Sequence, residues 1–202
     1  MTNFYNCFRS LRSGAPTVIQ SWLELDEGYL SFPGESDLGY WIIGIGHMLE
    51  DKPIPVDVLR LLSTKTPVVP SEMDGHYPRS VTWFRQIGGI THAEAMILLQ
   101  YDLDEIRSWL PDLVQNVEDL SPARSGALYN LGFHIHNLKY HMGKFWHAET
   151  TKIQRFFELV DVPDWNKAAA ELRTTSLYRN FPARYERIAI ALETGLVPEE
   201  IE

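Results

Sequence analysis

The sequence predicts an α+β fold, in which a short β-hairpin precedes a larger helical body. Three observations carry this reading. Residues 26–47 read DEGYLSFPGESDLGYWIIGIGH, where a helix-stopping glycine is followed by two strand-like runs. From Thr91 onward the apolar residues recur at helical spacing instead. The 202 residues are 45% hydrophobic, enough to bury one sizeable core.

Residues 1–15 read as an irregular arm and 16–202 as a single domain. Val18, Ile19, Trp22 and Leu23 share one helical face, so a first helix is expected over 16–27, ended by Gly28. Tyr29 to Phe32 then reads as a strand, Pro33–Gly34 as a turn and Tyr40 to Ile45 as a second strand, with the hairpin reaching about Leu49. Pro53, Pro55, Pro67, Pro70 and Pro78 punctuate residues 50–89, an elaborated loop with one short helix at Val56 to Leu62.

Thr91 and Glu94 form a capping box, each side chain satisfying a backbone N–H of the other residue. The helix they open carries Ala95, Leu98, Leu99, Leu103, Ile106 and Leu110 in one stripe and stops at Pro111. A second long helix starts at Ser121–Pro122 and carries Ala127, Leu128, Leu131 and Ile135. Further helices are expected over 149–160, 163–174 and 182–194, the last stopped by Gly195.

Composition narrows the function. With Lys+Arg 18 against Asp+Glu 27, the net charge is −9. An acidic chain without a basic stripe is a poor partner for nucleic-acid phosphates. The same charge disfavours free approach to an anionic cell envelope and suits delivery by a larger assembly. No run approaches the ~20 apolar residues that span a bilayer, so no membrane insertion is expected. The start, MTNFYNCFRSLRSG, lacks the apolar stretch of a signal peptide. The single cysteine, Cys7, leaves no internal disulfide to form. Six Trp, nine Tyr and nine Phe supply aromatic surface for a core or for sugar stacking.

The chemistry centres on Glu27, a carboxylate at a helix–strand junction. Five fragments occur in order: Glu27-Gly28; Gly44-Ile45-Gly46-His47; Ile90-Thr91 with Glu94-Ala95 and Asp102-Leu103-Asp104; Ala127-Leu128, Asn130 and Phe133; and Tyr178, Pro182 and Arg184. Together they resemble the phage-type lysozymes, muramidases that act on peptidoglycan, over about Gln20 to Gly195. The resemblance implies a lysozyme-like fold with a cleft between the hairpin lobe and the helical body. It implies peptidoglycan glycan strands as the partner and no cofactor or metal. It also implies synthesis in a host cytoplasm, with action at the cell wall or carriage in a virion.

In that family a glutamate protonates the glycosidic oxygen, and Glu27 holds its place. The accompanying aspartate and threonine fall on Ser36 and Ile42. Ser36 is neutral and no useful base, so a water-activating carboxylate must come from Asp37 or Glu35, which flank it. Alternatively the sugar's own hydroxyl attacks, as in a lytic transglycosylase, and Glu27 alone suffices. A third reading, in which catalysis is lost, makes the chain a structural or glycan-binding component of a virion or its delivery machinery.

By the same resemblance His47 is structural and pairs with Asp102, and Arg184 approaches Glu27. Met48 and Phe133 fall at groove-lining positions, though both are equally ordinary core residues. His134, His136, His141 and His147 suggest a metal site. Their spacing matches no zinc signature, and on a helix His134 and His136 share no face.

Overall fold

The computed structural model describes residues 17–36, 39–49, 54, 56–62, 79–139 and 143–198. It is an α+β protein with a small three-stranded antiparallel sheet beside a helical body. The chain runs α1 (Val18–Glu27), β1 (Leu30–Glu35), β2 (Trp41–Gly44), β3 (His47–Met48), α2 (Val56–Leu62), α3 (Arg79–Gln86) and α4 (His92–Trp109). Then follow α5 (Pro122–Lys139), α6 (Gly143–Asp161), α7 (Trp165–Arg173), α8 (Ser176–Asn180) and α9 (Pro182–Thr194). Residues 1–15 and Asp37 lie outside the described residues, as does much of the 50–89 loop.

Both ends of α1 are set locally. Thr17 and Gln20 form a capping box at its start. At its end Gly28 has φ 69°, and its N–H bonds the Glu24 carbonyl. The capping box expected at Thr91 is present, with the Glu94 carboxylate 2.7 Å from the Thr91 N–H. α5 is the central helix, packed against α1, α4 and α9. Its residues 126–135 are all buried. A side chain at Gly132 would stand 3.0 Å from Ile106 of α4, so the glycine sets how closely those helices pack.

The hairpin differs from expectation at its turn. Pro33–Gly34 lies inside β1, and the chain reverses instead between Ser36 and Tyr40. Leu30 pairs with Gly44 and Gly34 with Ile42, so the β1 segment carries two extra residues in a bulge. A proline has no N–H to give the ladder, and the bulge is where it is tolerated. The short strand β3, which the sequence pattern does not announce, pairs Ile42 with Met48 and Ile43 with His47.

Within the 50–89 loop, α2 matches expectation and α3 does not. Pro78 before it and Gly88–Gly89 after it disguise α3, and burial of Val81, Trp83 and Phe84 holds it. The helix expected at 163–174 starts two residues later, because Asp164 caps it. α6 begins at Gly143, ahead of the expected 149, and α8 is an additional short helix capped by Thr175.

Among the contacts that fasten the hairpin to the helical body, two are chief. The first lies beyond α3, where Gly89 has φ 78° and an added Cβ would collide with the Ser31 carbonyl oxygen. Beside it the Ile90 N–H bonds that same oxygen at 2.8 Å. The second contact is the expected one: His47 Nδ1 lies 2.9 Å from Asp102 Oδ2, with both side chains fully buried. Removing a charge from a buried, hydrogen-bonded pair costs more than removing it at the surface. Asp102→Asn should therefore lower unfolding stability by about 1–3 kcal/mol. Any activity per folded molecule should be spared, as denaturant melts paired with an activity assay would show.

Candidate active site

A cleft of about 700 Å³ separates the hairpin from the helical body. Its helical wall comes from the end of α1, from His134 of α5 and from Phe181, Pro182, Ala183, Arg184 and Arg187 around the start of α9. Its hairpin wall comes from Glu35, Ser36, Tyr40, Ile42, Gly46 and Met48.

Glu27 stands at the junction, as the last residue of α1, with its side chain 18% exposed. One carboxylate oxygen, Oε1, accepts a hydrogen bond from Arg184 Nη1. The other, Oε2, lies against Gly46, where an added Cβ would come within 2.8 Å. Gly46 also has φ 66°. The G-I-G-H glycine is thus required twice, by a left-handed backbone and by the carboxylate beside it.

Arg184 is buried, and three groups hold it. Its Nε donates to Asn130 Oδ1 at 2.8 Å and its Nη2 to the Asn130 carbonyl at 3.3 Å, while Glu27 takes Nη1. Burial opposes its charge, but Glu27 and then Asp26 outweigh that, leaving its pKa above the ordinary arginine value. Asp26, with a side chain only 1% exposed, accepts from Asn130 Nδ2 at 2.8 Å and from Arg187. Two consecutive acids at the end of α1 thereby meet two arginines three apart on α9, with Asn130 of α5 between them.

Of the residues expected at the site, Glu27, Arg184, Met48 and Glu35 line the cleft. Phe133 does not: it is 1% exposed and belongs to the hydrophobic core. Glu35 is exposed at the rim and pairs with Trp41 across the sheet. Paired residues share a face, so the register directs Glu35 toward the Trp41 side. Ser36 lines the cleft, and its Oγ accepts the Tyr40 N–H at 3.2 Å, closing the hairpin turn. Ile42 and Met48, paired across β2 and β3, make the hairpin wall apolar.

Sequence reasoning assigns no role here to Asp26, Asn130, Arg187 or His134. No local pattern joins Asp26 and Glu27 to Arg187 and Arg184, which lie 161 and 157 positions away. His134 enters the sequence reading only as one of four histidines that suggest a metal. Among the described residues, no group of three or more His, Cys, Asp or Glu is placed to hold one. Nor is any described helix long and apolar enough to cross a membrane.

A scan against protein-family models gives no match, and a search of curated proteins also returns none.

Two outcomes follow from this geometry. Gly46→Ala should lose about 1–2 kcal/mol to left-handed strain. It should also displace the Glu27 carboxylate, visible as a shift of the Glu27 side-chain carboxyl carbon by NMR. His134 is held well below its ordinary value of 6.5, first by burial and then by the Arg184 cation. Its depressed folded pKa means that the unfolded chain binds the proton first as pH falls. His134 should therefore contribute a loss of stability that begins as pH drops through 6.5 and levels off below the folded pKa. Comparing melts of wild type and His134→Gln across that window checks the sign, since the variant should lose this part of the slope.

Proposed function

We propose that this chain is a lysozyme-like protein that binds peptidoglycan glycan strands in its cleft and cleaves their backbone between the alternating amino sugars. The observation that carries this reading is the placing of Glu27. Its carboxyl stands at the cleft junction, one oxygen held by Arg184 and the other pressed against Gly46. A positioned carboxyl in a partly desolvated cleft is the group that glycosidic cleavage needs.

In the proposed reaction Glu27, once protonated, gives its proton to the glycosidic oxygen as the bond to the anomeric carbon breaks. Arg184 fixes the carboxyl's orientation throughout. Water then completes hydrolysis, with its proton passing to Glu35 or Asp37. If the sugar's own hydroxyl attacks instead, an anhydro sugar results and no second carboxylate is needed. The peptidoglycan of a phage's host is the expected substrate, and the acidic charge favours delivery in a virion or with lysis machinery.

One arrangement favours a second reading, in which the cleft binds glycan without cutting it. Ser36 Oγ is engaged in the turn, and Ile42 presents hydrocarbon where an attacking water would want a hydrogen bond. The chain would then serve as a structural or glycan-binding component of a virion.

Release of soluble fragments from purified peptidoglycan decides between them. Under the first reading Glu27→Gln lowers release by about 10²–10⁴-fold, the usual worth of a general acid. Loss of activity in Glu35→Gln or Asp37→Asn identifies a hydrolase and its base. Anhydro products with little loss in either variant identify the transglycosylase route. Wild-type protein that pellets with peptidoglycan but releases nothing supports the second reading.

A further inference from the structure

His134 is only 8% exposed, yet it lines the cleft on the same wall as Glu27 and Arg184. Its ring is held from two sides. Nδ1 lies 2.9 Å from the Tyr185 hydroxyl, and the Phe181 ring meets it edge-on at 4.6 Å between centroids. The remaining ring nitrogen, Nε2, bonds no described protein group. Nor is it sealed in the interior, as the unpartnered indole nitrogens of Trp22 and Trp83 are. A nearly buried imidazole thus offers its one open polar atom to the cleft.

The chemistry of the His134–Tyr185 contact favours one tautomer. A phenol is a stronger proton donor than a neutral imidazole N–H, and an imidazole nitrogen is a stronger acceptor than a phenol oxygen. With the Tyr185 hydroxyl donating to Nδ1, the direction these strengths favour, the ring hydrogen sits on Nε2. Burial and the neighbouring Arg184 keep the ring neutral. The wall around it carries two cations, Arg184 and Arg187, matched by two anions, Asp26 and Glu27. A neutral donor in a charge-balanced wall suits a neutral acceptor such as an amide carbonyl, and offers nothing specific to a further ion.

We propose that His134 is a positioning residue whose Nε2–H donates a hydrogen bond to the acetamido carbonyl oxygen of the amino sugar bound beside Glu27. This rests on the glycan reading of the cleft and adds to it a point of recognition for the N-acetyl group. Tyr185 acts through His134 by selecting the tautomer.

The test is an NMR titration of the full chain carrying Glu27→Gln, which blocks turnover. The probe is a soluble tetrasaccharide of alternating N-acetylglucosamine and N-acetylmuramic acid. The His134 Nε2–H resonance should move on addition, together with the backbone amides of Gly28, Gly46 and Arg184. In the same background His134→Leu should weaken binding about tenfold, the scale of one hydrogen bond to a ligand. His134→Gln, which keeps an N–H donor, should stay within about threefold of its parent. If the cleft amides move but Nε2–H does not, His134 has no such role and the glycan reading stands. His134→Gln falling as far as His134→Leu also overturns the donor assignment. If no cleft resonance responds, the glycan reading fails and this inference with it. Should His134→Leu not fold, the resonance of the intact histidine still decides.

Discussion

The buried guanidinium of Arg184 is the constraint on which the rest of the site depends. A cation taken from water is tolerated only when charge and hydrogen bonds replace its hydration. Here Glu27 and Asn130 bond it directly, and Asp26 Oδ2 lies 3.7 Å from its Nε. Those partners come from the end of α1 and from the middle of α5, while Arg184 itself opens α9. One side chain therefore fixes the relative placement of three helices. The carboxylate at the cleft is a by-product of that packing as much as a separate feature. Removing Glu27 would leave Arg184 buried with only the more distant Asp26 carboxylate to balance it, so the helix ends do not drift apart cheaply.

Much of this is legible in the residues because local rules and tertiary packing agree. Gly28 stops α1, Thr91 and Glu94 cap α4, and Pro122 opens α5, each for reasons confined to a few neighbours. The Glu27–Arg184 and His47–Asp102 contacts are expected only through the family resemblance, since they join residues 157 and 55 positions apart. Pro33–Gly34 misleads because the same dipeptide suits a turn or a bulge, and only the register with β2 separates them. α3 is hidden because its helicity comes from burying Val81, Trp83 and Phe84 against the body, which no local pattern states. Phe133 shows the same limit in reverse: an aromatic at a groove position fills the core instead.

His134 belongs to a different kind of difficulty. In sequence it opens a run of histidines, and the run invites a metal reading. Its environment instead comes from Tyr185 and Phe181, some fifty residues away, and from a cation that opposes its protonation. A titratable residue takes its role from what surrounds it, and none of those surroundings adjoins it in the chain.

The two walls of the cleft are chemically unequal, and this narrows any reaction within it. The helical wall holds Glu27 and a set of ions that already satisfy one another. The hairpin wall offers Ile42 and Met48, and a serine hydroxyl engaged with the Tyr40 N–H. A proton can therefore be supplied from the helical side, but the middle of the hairpin wall supplies no base to activate a nucleophile. Asp26 cannot move across, because Asn130 and Arg187 hold it nearly sealed. Under the proposed hydrolysis a base would have to come from beyond this wall, Glu35 being the exposed described carboxylate at its rim, or the nucleophile from the substrate. The proposed glycan cleavage would therefore draw its acid from a carboxyl fixed by the fold, and its base from the hairpin tip or from the sugar itself.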